Sequence, residues 1–479
     1  MVTDAKTALV SIDRAAGDLE GQLYRALRGR ILARVLPAEA RLPSTRQLAL
    51  SLGLARSTVV SAYGRLKAEG YLTSLAGGAS RVAAIASPGV AVVQPTPAIS
   101  AAAALPLLPL TPGVPDLASF PTAIWGRLLA ARARRVSAAD LGYGAPLGLP
   151  ALAEAILAHI AVSRGVVADP DQLVLFPSTR AAIGLLARLA LRDAAPGHHA
   201  AWMEEPGYLS ARQILQDAGA DLVPVPVDEA GMNVDSASGA ASPKLIYVTP
   251  SHQYPTGMTM SLARRLALLA VAQRTGALIL EDDYDSEFQF DGRPIAALQG
   301  IDQSGVVAYL GTLSKVLAPG VRLAYAIVPR SLLLAVQQAV RLQGLSVPIH
   351  IQAACLEFLR EGHFRAHIRR MTPIYAARMT AFRDTVQYCC GDAIATGPGT
   401  GGLQLALWFR DEAKDDEAIV QRLRSQGYGP QALSSMHLAK GRPGLLCGIA
   451  GLHADKAEHA ARAIAAAHQE QRLINGAAS

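Results

Sequence analysis

Only four cysteines occur in the 479 residues, Cys355, Cys389, Cys390 and Cys447. They show neither the paired spacing of a disulfide framework nor that of a metal-ligand set, which suits a reducing compartment and gives no reason to expect a metal. Long apolar runs are missing as well. Proline or charge interrupts every apolar stretch well short of the about 18 residues that a membrane span needs. The first residues carry acidic Asp4 and no continuous apolar segment of the secretory type. The expectation is a cytoplasmic protein with no membrane partner. Charge is nearly balanced, 45 Lys and Arg against 38 Asp and Glu for a net +7, so the position of the basic residues says more than their total. From Ser87 to Pro115 there is no charge at all.

Hydrophobic residues make up 51% of the chain, ample for burial, and the length implies two to four domains. Residues 1–85 concentrate Arg14, Arg25, Arg28, Arg30, Arg34, Arg41, Arg46, Arg56, Arg65, Lys67 and Arg81, a density consistent with a phosphate-binding face. The uncharged stretch that follows is Ala, Val and Pro, with prolines at 88, 95, 97, 106, 109, 112 and 115, and reads as a semi-extended linker over 86–115. Beyond it, from 116 to 479, short apolar runs alternate with helical stretches. Leu173 to Phe176, Leu245 to Val248, Ala277 to Leu280 and Val306 to Leu310 alternate with Arg180 to Arg192 and Leu262 to Arg274. That alternation predicts a mostly parallel sheet covered by helices. Leu403 to Phe409 and Leu445 to Ile449, around a helical segment Asp416 to Gln426, predict a small α+β subdomain at about 370–479. No internal repeat is visible.

Within the basic segment, Leu19, Leu23, Leu27, Ile31 and Leu32 fall on one helical face over residues 19–36. Ser44 is a candidate cap for a short helix ended by Gly53, and a second helix runs from about Arg56 to Glu69, stopped by Gly70. Tyr71 to Val82 reads as a hairpin centred on Gly77 and Gly78. A helix entering the major groove needs donors in its first turn and a preceding loop that grips the backbone. Arg41, Ser44 and Arg46 suit phosphate contacts, and Arg56, Ser57 and Thr58 open the second helix. RLPSTRQLALSLGLARSTVVSAYGRLKAEGYL, with GGASRV at 77–82, resembles the winged helix-turn-helix domain of GntR-family regulators. The resemblance implies double-stranded operator DNA as a partner. Ala55 stands where that family usually has a capping Ser, a loss of about 1 kcal/mol, and Ala79 where the wing usually has Gly.

In the larger part, GTLSKVLAPGVRLAY at 311–325 sets Lys315 among small and hydroxyl residues with Arg322 downstream. Pyridoxal phosphate chemistry requires an imine-forming lysine, a carboxylate for the pyridine nitrogen, an aromatic lid and a phosphate cup. Each has a candidate near the end of a predicted strand, where open α/β sheets bind ligands. Lys315 would form the Schiff base, Asp282 would face the pyridinium, and Tyr284 the phenolic oxygen. Ser178 and Thr179 open a helix and suit a phosphate, with Thr312, Ser314 and bidentate Arg322 completing the cup and Tyr208 stacking on the ring.

LGYGAPLGLPAL (141–152), EEPGY, TPSHQYPTG, EDDYDSEF and GTLSKVLAPGVRLAY together resemble the fold-type I aminotransferase domain. Their order behind the basic domain resembles the MocR/GabR subfamily of GntR regulators. The resemblance implies a multidomain protein: a winged helix-turn-helix joined to an α/β PLP-dependent transferase-like domain. It further implies pyridoxal 5'-phosphate held at Lys315 as an internal aldimine, and a homodimer with swapped domains in which Tyr143 reaches the other subunit's phosphate. Transcription would then change when a small amine, an amino acid or the cofactor itself binds. The alternative is an active aminotransferase carrying a DNA-binding extension. Three departures bear on the choice: Tyr254 replaces the Asn usual before PTG, with His252 and Gln253 as substitutes; Arg180 and Ala181 replace paired Gln; and the candidate for an effector carboxylate is Arg442 in GRPGLL.

Overall fold

The computed structural model describes residues 10, 12–74, 79–84, 107–138, 140–142, 147–192, 195, 197–237, 239–291, 295–439 and 441–476, and contacts divide the chain at 105/106. In the N-terminal unit, α1 (Leu19–Leu32) begins where the Asp18 carboxylate accepts the Gly21 N–H, and it buries Leu23, Leu27 and Ile31. The expected amphipathic stretch to residue 36 stops earlier. Arg34 takes a left-handed φ of 57°, and Leu32, placed on the apolar face by periodicity, is half exposed. α2 (Thr45–Leu52) starts with a full capping box between Ser44 and Gln47 and ends at Gly53, whose φ of 63° favours glycine. α3 (Arg56–Ala68) starts at Ala55 with no side-chain cap, as the missing Ser implies. β1 (Leu72–Thr73) and β2 (Arg81–Val82) pair antiparallel, Leu72 opposite Val82. Leu23, Leu27, Val59, Leu66 and Val82 close the core of this unit. Gly77 and Gly78, at the expected wing tip, lie outside the described residues.

The second unit opens with an unexpected segment. Leu110, read from composition as linker, is 2% exposed, and its carbonyl accepts the Gly448 N–H at 2.8 Å. Residues 107–115 therefore belong to the large unit, because proline-rich backbone docks where its few polar groups find partners. Two helices follow, α4 (Thr122–Ala133) and α5 (Pro150–Arg164), then an eight-stranded sheet. Its strands are β3 (Leu173–Phe176), β4 (Ala200–Glu205), β5 (Asp221–Asp228), β6 (Gly231–Met232), β7 (Leu245–Val248), β8 (Leu278–Asp283), β9 (Val307–Thr312) and β10 (Ala324–Ile327). They stand in the order β3-β10-β9-β8-β7-β4-β5-β6. The strands from β9 to β5 run parallel, while β10 is antiparallel to both neighbours.

Side chains alternate across this sheet. Leu245, Tyr247, Leu278 and Leu280 pack with α6 (Thr179–Leu191) and α7 (Leu209–Asp217). Ile246, Val248, Ile279 and Val307 pack with α8 (Leu262–Thr275). Helices on both faces explain why the strands read as continuous apolar runs.

α9 (Leu333–Gln343), α10 (Ile349–Arg360) and the 28-residue α11 (His363–Cys390) lead to the last subdomain. There β11 (Ile394–Thr396), β12 (Gln404–Phe409), β13 (Gln431–Ala432) and β14 (Gly444–Gly448) form an antiparallel sheet ordered β11-β12-β14-β13. α12 (Asp416–Ser425) and α13 (Ala454–Gly476) accompany it. Among the described residues no helix is long and apolar enough to cross a membrane.

Candidate functional site

The carboxyl ends of the parallel strands meet at a cavity of about 370 Å³, the place where open α/β sheets bind ligands. β8 ends there in three buried carboxylates, Glu281, Asp282 and Asp283. Alternation sends the middle one to the opposite face from its neighbours. Glu281 accepts backbone N–H groups from Leu298 at 2.7 Å and Gln299 at 2.8 Å. Asp283 takes Arg164 Nε at 2.7 Å and the Tyr309 hydroxyl at 2.5 Å. Asp282 lines the cavity and, among the described residues, receives only the Tyr247 hydroxyl, at 2.7 Å on Oδ2. Its buried Oδ1 has no partner. Burial pushes the Asp282 carboxyl up to about 6; the Tyr247 hydrogen bond opposes this, and the Asp283 charge adds to it.

Lys315, in the loop after β9, donates from Nζ to the Gly113 carbonyl at 2.6 Å. Burial lowers its pKa against the pull of Asp285 and Asp282, which favours the neutral amine that attacks carbonyls. Gly113 has φ +72°, and a Cβ there would lie 2.9 Å from Nζ. The left-handed φ favours glycine, and a Cβ would press on the flexible end of the lysine. The Tyr208 and Tyr254 rings meet edge to face at 5.2 Å, and Arg180 donates through Nε and Nη2 to the Tyr208 hydroxyl at 3.2 and 3.1 Å. Tyr284 accepts Gln404 Nε2 at 3.4 Å and lies 3.1 Å from His252 Nδ1. That nitrogen also meets Asp285 Oδ1 at 2.9 Å. Burial works against a charged His252, yet Asp285 outweighs it and raises the pKa.

At the other end of the cavity, Ser178 caps α6 by accepting the Ala181 N–H at 3.2 Å, and Thr312 Oγ1 accepts the Ser314 N–H at 3.1 Å. Arg322 sits at a left-handed φ of 54°. Helix N–H groups, hydroxyls and two guanidiniums make a site for an anion. Lys315, Asp282, Tyr284, Tyr208, Ser178, Thr179, Thr312, Ser314 and Arg322 all line this one cavity. Tyr143 lies outside the described residues. Arg442 is not brought to the cavity. Its guanidinium lies over the Trp408 ring, 5.8 Å from the centroid, and Nε donates to the Phe409 carbonyl at 3.4 Å. Arg442 lies just before β14, where the indole face offers its cation a stacking partner.

In the N-terminal unit, Arg41, Ser44, Arg46, Arg56 and Ser57 are exposed and Thr58 is half-buried. They flank the α2–α3 turn. The Ser44 hydroxyl is engaged in its capping box, so it contributes helix order as well as a polar surface.

Residues 19–82 match the family of bacterial regulatory proteins of the gntR family, and residues 127–464 match the aminotransferase class I and II family. The probable rhizopine catabolism regulatory protein MocR of Rhizobium meliloti is 36% identical over 463 residues, 93% of this chain and 92% of its own length. The chain belongs to the MocR-type regulators of the GntR family. Two further transcriptional regulators are similar. The pyridoxine biosynthesis regulator PdxR of Corynebacterium glutamicum is 32% identical over 86% of this chain and 87% of its own. The transcriptional regulator TauR of Rhodobacter capsulatus is 34% identical over 86% and 88%. Among solved structures, the α-aminoadipate aminotransferase LysN of Thermus thermophilus superposes with TM-score 0.70 at 22% identity, covering 77% of this chain and 93% of that one. The kynurenine aminotransferase of Pyrococcus horikoshii gives 0.69 at 23%, covering 76% and 91%. The large domain of this MocR-type chain thus has the fold of PLP-binding aminotransferases, behind a DNA-binding domain of the GntR type.

Several cavity residues carried no assigned role in the sequence: Tyr247, Gln404, Gln431, Ser210 and Gly113. Tyr247 was hidden in an apolar strand run, and Gly113 in a segment read as linker.

Proposed function

We propose that this regulator is cytoplasmic, holds pyridoxal 5'-phosphate in the cavity and alters its hold on operator DNA according to the amine bound there. The observation that carries the reading is Asp282: a buried carboxylate with one oxygen unpartnered, lining the same cavity as Lys315 and the hydroxyl and guanidinium end. Leaving such an acceptor unmatched costs about 1–3 kcal/mol, and a pyridinium N–H is the donor that fits it. The residues present fit the cofactor at each of its groups. When bound, the cofactor supplies an aldehyde that condenses with amines and exchanges one amine for another.

In this reading Asp282 keeps the ring nitrogen protonated, Tyr208 covers the ring, and Tyr284 donates its proton to the phenolic oxygen. Ser178, Thr179, Thr312, Ser314 and Arg322 hold the phosphate. Lys315 Nζ is the resident amine, and the Gly113 carbonyl receives it when an incoming amine displaces it. A ligand can shift DNA affinity only through different affinities for two conformations, and the departure of Lys315 is the event that distinguishes them here. The protein acts as a homodimer in this reading, with Tyr143 contributing across the interface.

The test is a spectral titration of the purified protein with amines, run beside a DNA mobility shift. Wild type should show a visible band with added pyridoxal phosphate and an amine-dependent change in DNA binding. Lys315→Ala should lose both. An unchanged visible band in Lys315→Ala would overturn the assignment, and steady turnover at about 1 per second or faster without any DNA response would favour the aminotransferase.

A further inference from the structure

Away from the groups assigned to the cofactor, the cavity wall is made by Gln404, Gln431, Ser210, Tyr254 and the turn at Pro112–Gly113. Every one of these side chains is uncharged. Gln404, the first residue of β12, is 4% exposed. With its Nε2 turned to the Tyr284 hydroxyl, its Oε1 is buried and has no hydrogen-bond partner among the described residues. A Cβ built on Gly113 would lie 2.9 Å from Lys315 Nζ and 4.0 Å from Gln404 Oε1, so the lysine amine and this bare carbonyl crowd one backbone turn. On the adjoining wall the Tyr254 hydroxyl donates to Gln431 Oε1 at 3.4 Å.

The unmet requirement here is for a hydrogen-bond donor. A hydroxyl group meets it, giving its proton to Gln404 Oε1 while accepting from the Gln431 amide. A carboxylate has lone pairs only, and beside an unpartnered carbonyl it is repelled. Among the described residues the guanidiniums of the lining are those of Arg180 and Arg322. Arg180, next in the chain to Ser178 and Thr179, gives Nε and Nη2 to the Tyr208 hydroxyl; the phosphate dianion of the bound cofactor would balance it together with Arg322, and Arg442 is stacked on Trp408. We propose that the effector is a primary amine whose other polar groups are uncharged hydroxyls, an amino alcohol rather than an amino acid, with Gln404 and Gln431 as its specificity-determining residues. This rests on the reading of Lys315 and the cofactor given above.

Two isosteric pairs test it: serinol against L-serine, and ethanolamine against glycine, each differing by CH2OH for a carboxylate. Full-length protein loaded with pyridoxal phosphate is titrated with each, reading the visible band and the thermal midpoint. The alcohols should half-saturate at a concentration about tenfold or more below their carboxylate partners. Gln431 is exposed, so Gln431→Arg should fold, supply the missing cation and shift the preference toward L-serine by about tenfold. Equal or tighter response to the amino acids, silence toward all four amines, or an unmoved ratio in Gln431→Arg overturns the proposal while the visible band stands. Absence of a Lys315-dependent visible band overturns the cofactor reading itself, and this proposal with it.

Discussion

Replacing Asp282 by Asn should move the stability of the stripped protein and its hold on the cofactor in opposite directions. The folded carboxyl sits at about 6, raised from 3.8 by burial. Because the folded value is the higher, the folded chain binds more protons than the unfolded chain between those two values. Stability therefore falls as pH rises through the window from about 4 to 6, and the whole penalty is present above it. Two pKa units correspond to roughly 3 kcal/mol at neutral pH. Asn removes the charge and keeps an acceptor for the Tyr247 hydroxyl, while its neutral amide, left at the buried unmatched position, gives back about 1–2 kcal/mol. The stripped variant should thus gain about 1–2 kcal/mol at pH 7.5, and the gap should shrink by about 2 kcal/mol at pH 4.5, where the wild-type carboxyl takes its proton. With pyridoxal phosphate the order reverses, since the variant loses a charge-assisted hydrogen bond of about 1.5–3 kcal/mol. Urea melts at the two pH values, with and without cofactor, read all four numbers. A stripped variant less stable than wild type at pH 7.5, or a gap indifferent to pH, would refute the reasoning.

Gly113→Ala should cost about 1–2 kcal/mol for a left-handed alanine and should also weaken the visible band by pressing on Lys315 Nζ; a normal band would show that the Gly113 carbonyl does not position the amine. Arg46→Ala and Arg56→Ala should each weaken DNA binding across sequences and lower the slope of log affinity against log salt by about 1, measured by mobility shift at several salt concentrations. Ser44→Ala should cost the N-terminal unit about 1 kcal/mol through loss of the capping box, read as a lower melting midpoint. Arg442→Ala should leave amine half-saturation within about twofold of wild type, because sites without shared partners act independently; a large loss would return it to the effector site.

Much of this organisation was legible in the sequence because local chemistry and tertiary structure agreed. Leu173 to Phe176 and Leu245 to Val248 form strands as the apolar runs indicate, and Ser44, Gly53 and Ala55 behave at their helix ends as their side chains dictate. β5 was harder, since Pro224 and Pro226 argue against a paired strand. Their missing N–H groups fall on the side away from β4, where the Pro226 carbonyl accepts the Asn233 N–H at 2.8 Å and β6 pairs only from Val227 onward. That Asp282, Lys315 and the hydroxyl residues share one cavity was readable because each of them follows a strand or opens a helix. The wall that carries Gln404 and Gln431 was not. Gln404 and Gln431 come from the small subdomain, brought in by β12 and β13, and no spacing along the chain records that meeting.

Tyr254 makes the same point from the opposite direction. By position in the motif it replaces an amide donor, and its ring instead becomes a wall, edge to face with Tyr208 and with Tyr284 at 5.8 Å. Gln253 is no substitute, because its Nε2 is turned inward to Glu204 and the carbonyls of Pro206 and Tyr254. The donor that faces the cavity is Tyr284. Asp285 fixes the proton of His252 on Nδ1, since a carboxylate 2.9 Å away must accept it, and that N–H also approaches the Tyr284 oxygen. Gln404 Nε2 supplies a second donor to the same oxygen. With both lone pairs approached by donors, the hydroxyl proton is left to point into the cavity, and burial keeps the phenol protonated well above its ordinary range. On the proposed reading, the hydrogen-bond duty of the absent Asn falls to a tyrosine 30 residues downstream, and Gln404, which donates to that tyrosine with one end, would meet the effector with the other.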